Sequence, residues 1–583
     1  MRVLVIGAGP AGLVTVKTLL DGAHRFGGEI DVVALEAEAA LGGTFKYRAY
    51  ENGALVSSKQ LTAFSDFRVD HPGDHLTLEE YVSYLESYAR HFDLLRHIQF
   101  GSRVVEIKRR PAGGHAVTFE RDGGRHTLQC DALAICSGLH VEPAVPEIDG
   151  VEAIPERLHS SQYKRRDQLA GKRVLVLGSG ETGHDIAYEA VQAGAKEVVM
   201  SHRDGWLSFP KVLNDFRIFG IDFEGDLPID GLITNLFETA AVHPWIGHSR
   251  LRWHFSDMII KRVLWLLTGT QAGCDQWVGG LPPERLGRAY VFLNKSSRAQ
   301  AYINKPYRRR SRLMSWIASY REAPEVAASD AVIDLAPWPS HVLPSGRVMF
   351  KVTERPESKR MMTRKVVPEV LVYATGYKHS FPFLDASYPR SGDCDVRDLM
   401  KADQPDVAFV GFVRPGVGAI PPIAELQAQW WTMLLLKQMD LPKEASHYHL
   451  LQAPNARITH GVDHGAYCSQ LARDMGSAPD LWELYRVHGL RIVLIYCFGA
   501  TFTPFFRLLG PWRSGNAPYI ARTELYDTIR RRGLGGNIAM GLIPMLFWGY
   551  ITLLAHVAST LWHHVVSPAL KVLGHPVSLP FDL

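Results

Sequence analysis

A chain of 583 residues is too long for a single hydrophobic core and implies three or four domains at ~150 residues each. Apolar residues at 46% and charged residues at 21% exclude wholesale disorder, and 64 Lys+Arg against 60 Asp+Glu leave only +4, too little to mark a nucleic-acid binder. A mean hydropathy of −0.06 excludes a polytopic membrane protein, although an average conceals a single span.

The chain begins Met1-Arg2 and enters an apolar run at 3–6 directly, with no room for a signal peptide before it. The run does not alternate, as expected of a parallel strand covered on both faces, and Gly7-Ala8-Gly9-Pro10-Ala11-Gly12 follows it. Glycines at these positions allow a tight turn and bring backbone N–H groups close to pyrophosphate oxygens, and the helix that starts near Pro10 presents its positive end to them. A second strand is predicted at 31–36, and Glu36 closes it where a carboxylate accepts hydrogen bonds from an adenosine ribose.

The design recurs at 173–177, where an apolar strand leads into Gly178-Ser179-Gly180-Glu181-Thr182-Gly183 and a helix over 184–193. The next strand, at 197–200, ends in Ser201-His202-Arg203 in place of an acid. A guanidinium at that position makes paired bonds to a 2′-phosphate and favours NADP over NAD, although Arg203 is also one exposed arginine among many. Two dinucleotide units in one chain point to one flavin and one nicotinamide nucleotide.

Cys130, Cys136, Cys274, Cys394, Cys468 and Cys497 are scattered without a CxxC pair, so no disulfide framework, zinc ribbon, metal site or dithiol centre is predicted. Lys305, Arg308, Arg309, Arg310 and Arg312, with Tyr302 and Tyr307, form a short basic cluster that fits a solvated face or acidic headgroups better than nucleic acid. From 533 to 570 there is no Asp, Glu, Lys or Arg, and 538–562 is long enough to cross ~30 Å of hydrocarbon as a helix. Arg530, Arg531 and Arg532 precede it and favour a cytosolic catalytic body. The uncharged run at 492–506 is too short to span and either dips into one leaflet or packs in the core, and 253–267 has the make-up of an amphipathic surface helix.

Further motifs occur in order: Gly42-Gly43-Thr44, Ser57-Ser58-Lys59, Phe64-Ser65-Asp66-Phe67, Cys136-Ser137-Gly138, His159 to Tyr163, Tyr373-Ala374-Thr375-Gly376-Tyr377, Phe381-Pro382-Phe383-Leu384, and a block from Gly411 to Gln427. In these the chain resembles the flavin-containing monooxygenase family, dimethylaniline monooxygenase-like, from residue 1 to about 535, with a poor match only over about 205–330. Three departures stand out. Ala153 and Pro155 occupy the Phe-x-Gly half of the family's identifying segment, Val56 replaces a frequent asparagine before Ser-Ser-Lys, and Glu181-Thr182 replaces Asn-Ser. Valine can neither donate nor accept a hydrogen bond.

The resemblance implies an α/β fold with two Rossmann-like domains. A discontinuous FAD-binding domain covers 1–165 and 365–450, an NADP-binding domain covers 166–364 with an insertion at about 205–330, and a membrane-associated region covers 451–583. It implies that NADPH reduces FAD, that oxygen adds as a flavin hydroperoxide, and that one oxygen atom passes to a nitrogen or sulfur of a small lipophilic amine or sulfide. By the same resemblance, Gly7, Ala8, Gly9, Pro10, Ala11, Gly12, Glu36, Gly43, Thr44, Phe45, Ser57, Thr375, Gly376 and Gln427 serve FAD, with the turn at 374–376 closing over the flavin end. Gly178, Ser179, Gly180, Thr182, Gly183, Asp185 and Arg203 serve NADP. No side chain is assigned a catalytic role, since the cofactor carries the chemistry, and His159 reads as an inter-domain structural histidine. Baeyer–Villiger oxygenation of ketones is the rival chemistry, although Tyr163-Lys164 stands where such enzymes usually carry Trp-Pro. The same motifs would also suit an NADPH oxidase releasing hydrogen peroxide, or a non-catalytic nucleotide-binding protein at a membrane. The expected location is a membrane, the endoplasmic reticulum in a eukaryote, and homo-oligomerisation stays open.

Overall fold

The computed structural model describes residues 1–203, 330–443, 448–450 and 460–573 throughout, and shorter stretches between 205 and 320. The strand Arg2–Ile6 pairs in parallel with Asp31–Leu35 on one side and Ala132–Ile135 on the other. Ile98–Gln99 and Gln404–Phe409 extend the sheet in parallel, and Met400–Lys401 closes one edge antiparallel. Val3, Leu4 and Val5 are fully buried, which is why this strand carries no polar alternation. The helix Pro10–Phe26 lies against the helix Ile420–Leu435, whose Trp430 and Trp431 are also fully buried. An antiparallel meander, Arg103–Arg109, His115–Arg121 and Gly124–Cys130, leads the chain back to the central sheet.

The second sheet has five strands, all parallel, in the order Ile333–Ala336, Glu197–Ser201, Arg173–Leu177, Val370–Tyr373, Glu156–His159. This corrects the boundaries expected at 165 and 365. Val370–Tyr373 supplies one hydrogen-bonded flank of Arg173–Leu177, opposite Glu197–Ser201, and Glu156–His159 pairs with the far side of Val370–Tyr373 as the edge strand of the second sheet. The chain therefore passes between the two units in the segments that follow Ile135 and Tyr373.

The C-terminal part builds its own core. Ile492, Phe502 and Phe505 are fully buried there, so most of the 492–506 run packs in the core, with Leu494 exposed. A continuous helical stretch, Gly533–Lys571, spans 39 residues, longer than the expected 538–562. Met545, Trp548, Thr552 and Ala555 form a buried stripe along it, and His556 meets His243 at 4.5 Å. Leu546, Tyr550 and Leu553 are each at least 60% exposed on other faces. The arginine triplet before this helix is largely taken up by the body of the protein. Arg531 pairs with Asp74 at 2.7 Å, and Arg532 is buried and donates to the carbonyls of Phe498, at 2.8 Å, and Gly231. Only Arg530 stays in solvent, paired with Asp527. The 253–267 segment, Tyr307 and Arg308, Arg309, Arg310 and Arg312 lie outside the described residues, while Tyr302 is buried and its hydroxyl accepts from Gln192 at 3.0 Å.

Candidate functional site

The two glycine loops are built alike. Gly7 has φ +108°, and a Cβ there would sit 2.7 Å from the carbonyl oxygen of Cys136. A Cβ on Gly12 would sit 1.9 Å from the Gly7 oxygen, so the helix can start against the turn only without a side chain. In the second unit Gly178 has φ +116° with Ala374 O at 2.3 Å, and Gly183 meets Gly178 O at 2.1 Å. Cys136 and Ala374 each follow the strand beside the loop, so Cys136-Ser137-Gly138 and Ala374-Thr375-Gly376 occupy matching positions. Each loop leaves backbone N–H groups and a helix N-terminus facing a space that a side chain would fill, which fits a pyrophosphate.

The first loop is covered. Gly42 N donates to Ala8 O at 3.2 Å, and a Cβ on Gly43, whose φ is +55°, would lie 3.2 Å from the Gly9 Cα. Thr44 opens the short helix Thr44–Tyr47, and Phe45 packs edge-on against Tyr81 with ring centroids 4.7 Å apart, making it part of the core. Glu36 ends its strand as expected. It is buried, and its carboxylate accepts from Ala8 N at 2.6 Å and Glu38 N at 2.9 Å. Burial raises its pKa above the usual carboxylate value against the pull of these backbone donors. Each carboxylate oxygen has two lone pairs, so accepting one N–H leaves room for a ribose hydroxyl.

Ser57 donates to Gly418 O at 3.2 Å, next to the start of the Ile420–Leu435 helix, and Val56 beside it is half-buried. Gln427 is fully buried. It accepts from Gly411 N at 2.8 Å and donates to the Tyr467 hydroxyl at 2.7 Å, fixing the Gly411 turn against Ala11. Gln427 therefore supports the first loop from behind. Thr375 donates to Ala144 O, and the carbonyls of Ala374 and Gly376 reach Gly178 and His159 respectively. The turn at 374–376 is thus anchored beside the second loop at the crossing between units, which follows from Val370–Tyr373 lying in the second sheet. His159, its pKa lowered mainly by burial, is held between Ser161 Oγ at 3.0 Å and Gly376 O at 3.1 Å, the geometry of a structural hinge.

In the second unit Ser179 and Thr182 are half-buried, and no described atom lies within 4 Å of a Cβ built on Gly180. Asp185 accepts from the Tyr50 hydroxyl at 2.8 Å, so this carboxylate ties the two units together. Arg203 is exposed, with its guanidinium carbon 5.2 Å from the centroid of the Trp338 ring. The residue before it, His202, is buried with Nε2 3.0 Å from Glu357 Oε1, and Arg355 also pairs with Glu357. The hydrogen bonds and charge of these two partners hold the Glu357 pKa down to about 2 despite its burial. Tyr50, Trp338 and Glu357 escaped sequence reasoning. Only Trp338 carried a usable signal, standing two residues past an apolar strand as Arg203 does.

Two such loops, one ending its second strand in a carboxylate and the other in a guanidinium, define a flavoprotein that works with two dinucleotides. The family model described as flavin-binding monooxygenase-like matches residues 1–223 and 347–531, and the chain belongs to this family. It is a flavin-dependent monooxygenase that uses FAD and NADPH. Monooxygenase cfoE of Aspergillus candidus is 41% identical over 96% of this chain and 99% of its own length. Human flavin-containing monooxygenase 2 is 26% identical over 91% of this chain and 94% of its own. Among solved structures, S-allyl-L-cysteine S-oxygenase from Allium sativum matches with a TM-score of 0.51 at 19% identity, covering 83% of this chain and 91% of that one. A cyclohexanone monooxygenase mutant from Rhodococcus sp. Phi1 bound to NADP+ matches with a TM-score of 0.54 at 16% identity, covering 81% and 97%. Both show the fold.

Proposed function

We propose that the enzyme transfers one oxygen atom from O2 to a nucleophilic nitrogen or sulfur of a small lipophilic amine or sulfide, with FAD on the first glycine loop and NADPH on the second. The observation that carries the assignment of loops is their difference in cover and charge: a buried Glu36 under a Gly43-capped turn, and an exposed Arg203 beside an open one. When bound, FAD supplies the redox and oxygen-activating chemistry. The chain's own part is to bind and orient. Backbone N–H groups of Gly9, Ala11 and Gly12 and of residues 179–183 would hold the two pyrophosphates, Glu36 the FAD ribose and Arg203 the 2′-phosphate, while Gly43 and Thr44 would keep water from the flavin's phosphates.

The preference over ketone oxygenation is supported at Tyr163-Lys164. Lys164 Nζ donates to the carbonyls of Tyr47 at 3.1 Å and Ala49 at 3.0 Å, strapping the two units together in a way that the proline usual in Baeyer–Villiger enzymes does not permit. NADPH consumption and product formation across amines, sulfides and ketones test the reading. N- or S-oxides formed in step with NADPH support it. Esters from ketones would replace it with Baeyer–Villiger oxygenation, and peroxide equal to NADPH consumed would make the enzyme an oxidase.

A second reading concerns attachment. The helix Gly533–Lys571 buries one stripe against the body and exposes apolar side chains such as Leu546 and Leu553. This supports a membrane-associated enzyme with a cytosolic catalytic body. A chain ending at 532 should leave the membrane fraction and keep its flavin, since Arg531 and Arg532 retain their partners. Continued sedimentation with membranes would remove the helix from this role.

A further inference from the structure

Arg203 and Trp338 reach each other because two neighbouring strands end together. Glu197–Ser201 and Ile333–Ala336 run in parallel with Ser201 opposite Ala336. Beyond the strand ends the loops stay locked: His202 N donates to Ala336 O at 3.0 Å, and Ser201 Oγ donates to Pro337 O at 2.8 Å. The Glu357 carboxylate pins His202 from behind. Trp338 is held in turn, its carbonyl accepting from Lys351 N at 2.9 Å and its ring half-buried against the core of this unit. The result is an exposed guanidinium over an indole whose backbone is bonded and whose ring is packed on one side against this unit.

The manner of holding matters. An arginine fixed by a carboxylate has its in-plane N–H donors engaged and its charge compensated. One fixed over an aromatic ring is held through its face, so its donors and full charge remain available to a tetrahedral anion. Among the described residues no carboxylate pairs with Arg203. We infer that Trp338 is a positioning residue for 2′-phosphorylated adenosine: it acts through Arg203, pre-ordering the guanidinium so that the enzyme distinguishes NADPH from NADH. The inference rests on the assignment of the second loop to NADPH.

The test is direct binding to the FAD-loaded enzyme, measured by calorimetry with adenosine 2′,5′-bisphosphate and with 5′-AMP, which lacks the 2′-phosphate. Trp338→Ala should weaken the bisphosphate about three- to tenfold and leave 5′-AMP unchanged, the range of an exposed to partly desolvated cation–π contact. Trp338→Phe should recover most of the loss by restoring a ring. Trp338→Leu keeps the apolar packing without a π face and should behave as Trp338→Ala, which covers the case in which alanine unsettles the fold. In an Arg203→Ala background, Trp338→Leu should cost nothing further. Equal weakening of both ligands, or an undiminished Trp338 effect without Arg203, would overturn the inference and make the indole an adenine contact or a packing group. If Arg203→Ala alone leaves bisphosphate binding intact, the NADPH assignment of Arg203 fails first and takes the inference with it. An Arg203 effect with no Trp338 effect sinks only the inference.

Discussion

The two dinucleotide units share one turn and differ in what surrounds it. In both, the first glycine has φ above +100° and the last lies about 2 Å, as a Cβ, from the carbonyl of the first. The middle glycine separates them: Gly9 is covered by the Gly43 backbone, whereas Gly180 has open space in front of it among the described residues. The ends of the second strands differ in the same sense, with Glu36 buried and bonded to Ala8 N and Arg203 exposed over Trp338. A resident flavin needs enclosure, and a nicotinamide nucleotide that arrives and leaves needs an open mouth and a charge to find it. On the proposed assignment one local turn serves both tasks, and its neighbours decide which.

The comparison breaks most sharply at the last glycines. Gly12→Ala should yield colourless protein that unfolds readily, because its methyl meets the Gly7 carbonyl at 1.9 Å. Gly183→Ala, whose methyl meets the Gly178 carbonyl at 2.1 Å, should destabilise its own unit in the same way, and the protein recovered folded should stay yellow while anaerobic flavin reduction by NADPH falls by two orders of magnitude or more. A Gly183→Ala protein that is folded by circular dichroism yet colourless would show that the two units do not hold separate nucleotides. Next in size, Arg203→Ala should cost about 1.5–3 kcal/mol in NADPH binding, the value of a charge-assisted contact, and leave NADH binding unaltered. Equal loss of both would remove the asymmetry at the strand ends.

Acid sensitivity probes a likeness between the units. Glu357 sits with His202 and Arg355, and Asp406 with His115 Nε2 at 3.1 Å and Arg109 at 3.0 Å. Both carboxyls titrate at about 2, below their ordinary 4.5 and 3.8. A lowered carboxylate pKa stabilises the fold above the unfolded value and loses that contribution as pH falls through the folded one. They should therefore contribute at neutral pH about 3 kcal/mol for Glu357 and about 2 kcal/mol for the partly exposed Asp406, lost between the ordinary value and about pH 2. Denaturant unfolding from pH 5 downward should flatten in that window for Glu357→Gln in the second unit and for Asp406→Asn in the first. An unchanged slope would show that the ion pairs are not the source. The smallest effect is expected from Gly180→Ala, within ~0.5 kcal/mol of parent stability, because the site is open and its backbone needs no positive φ. A large loss there would mean that the second loop is covered after all.

Much of this site was legible along the chain because it is made of local patterns. An apolar run, a glycine turn and a charged strand end lie within about thirty residues of one another in each unit; Gly7, Gly12, Gly178 and Gly183 sit in turns without room for a side chain, and Glu36 and Arg203 stand just past the neighbouring strands. What reads poorly depends on distant partners. Gln427 serves the first loop from behind through Gly411, Asp185 is taken up by Tyr50, and the 374–376 turn belongs beside the second loop. The arginines at 530–532 looked like a membrane-flanking cluster, yet Asp74 and the carbonyls of Phe498 and Gly231 claim two of them from far away in sequence.

The sequence by itself therefore determined the two nucleotide turns, the sign of charge at each strand end and the apolar C-terminal stretch, since each follows from residue type and short spacing. Tertiary structure alone decided which strands belong to which sheet, which turn is covered, and that Trp338 lies under Arg203. Those outcomes depend on strand order and on backbone groups brought together across hundreds of residues, and no local period encodes them.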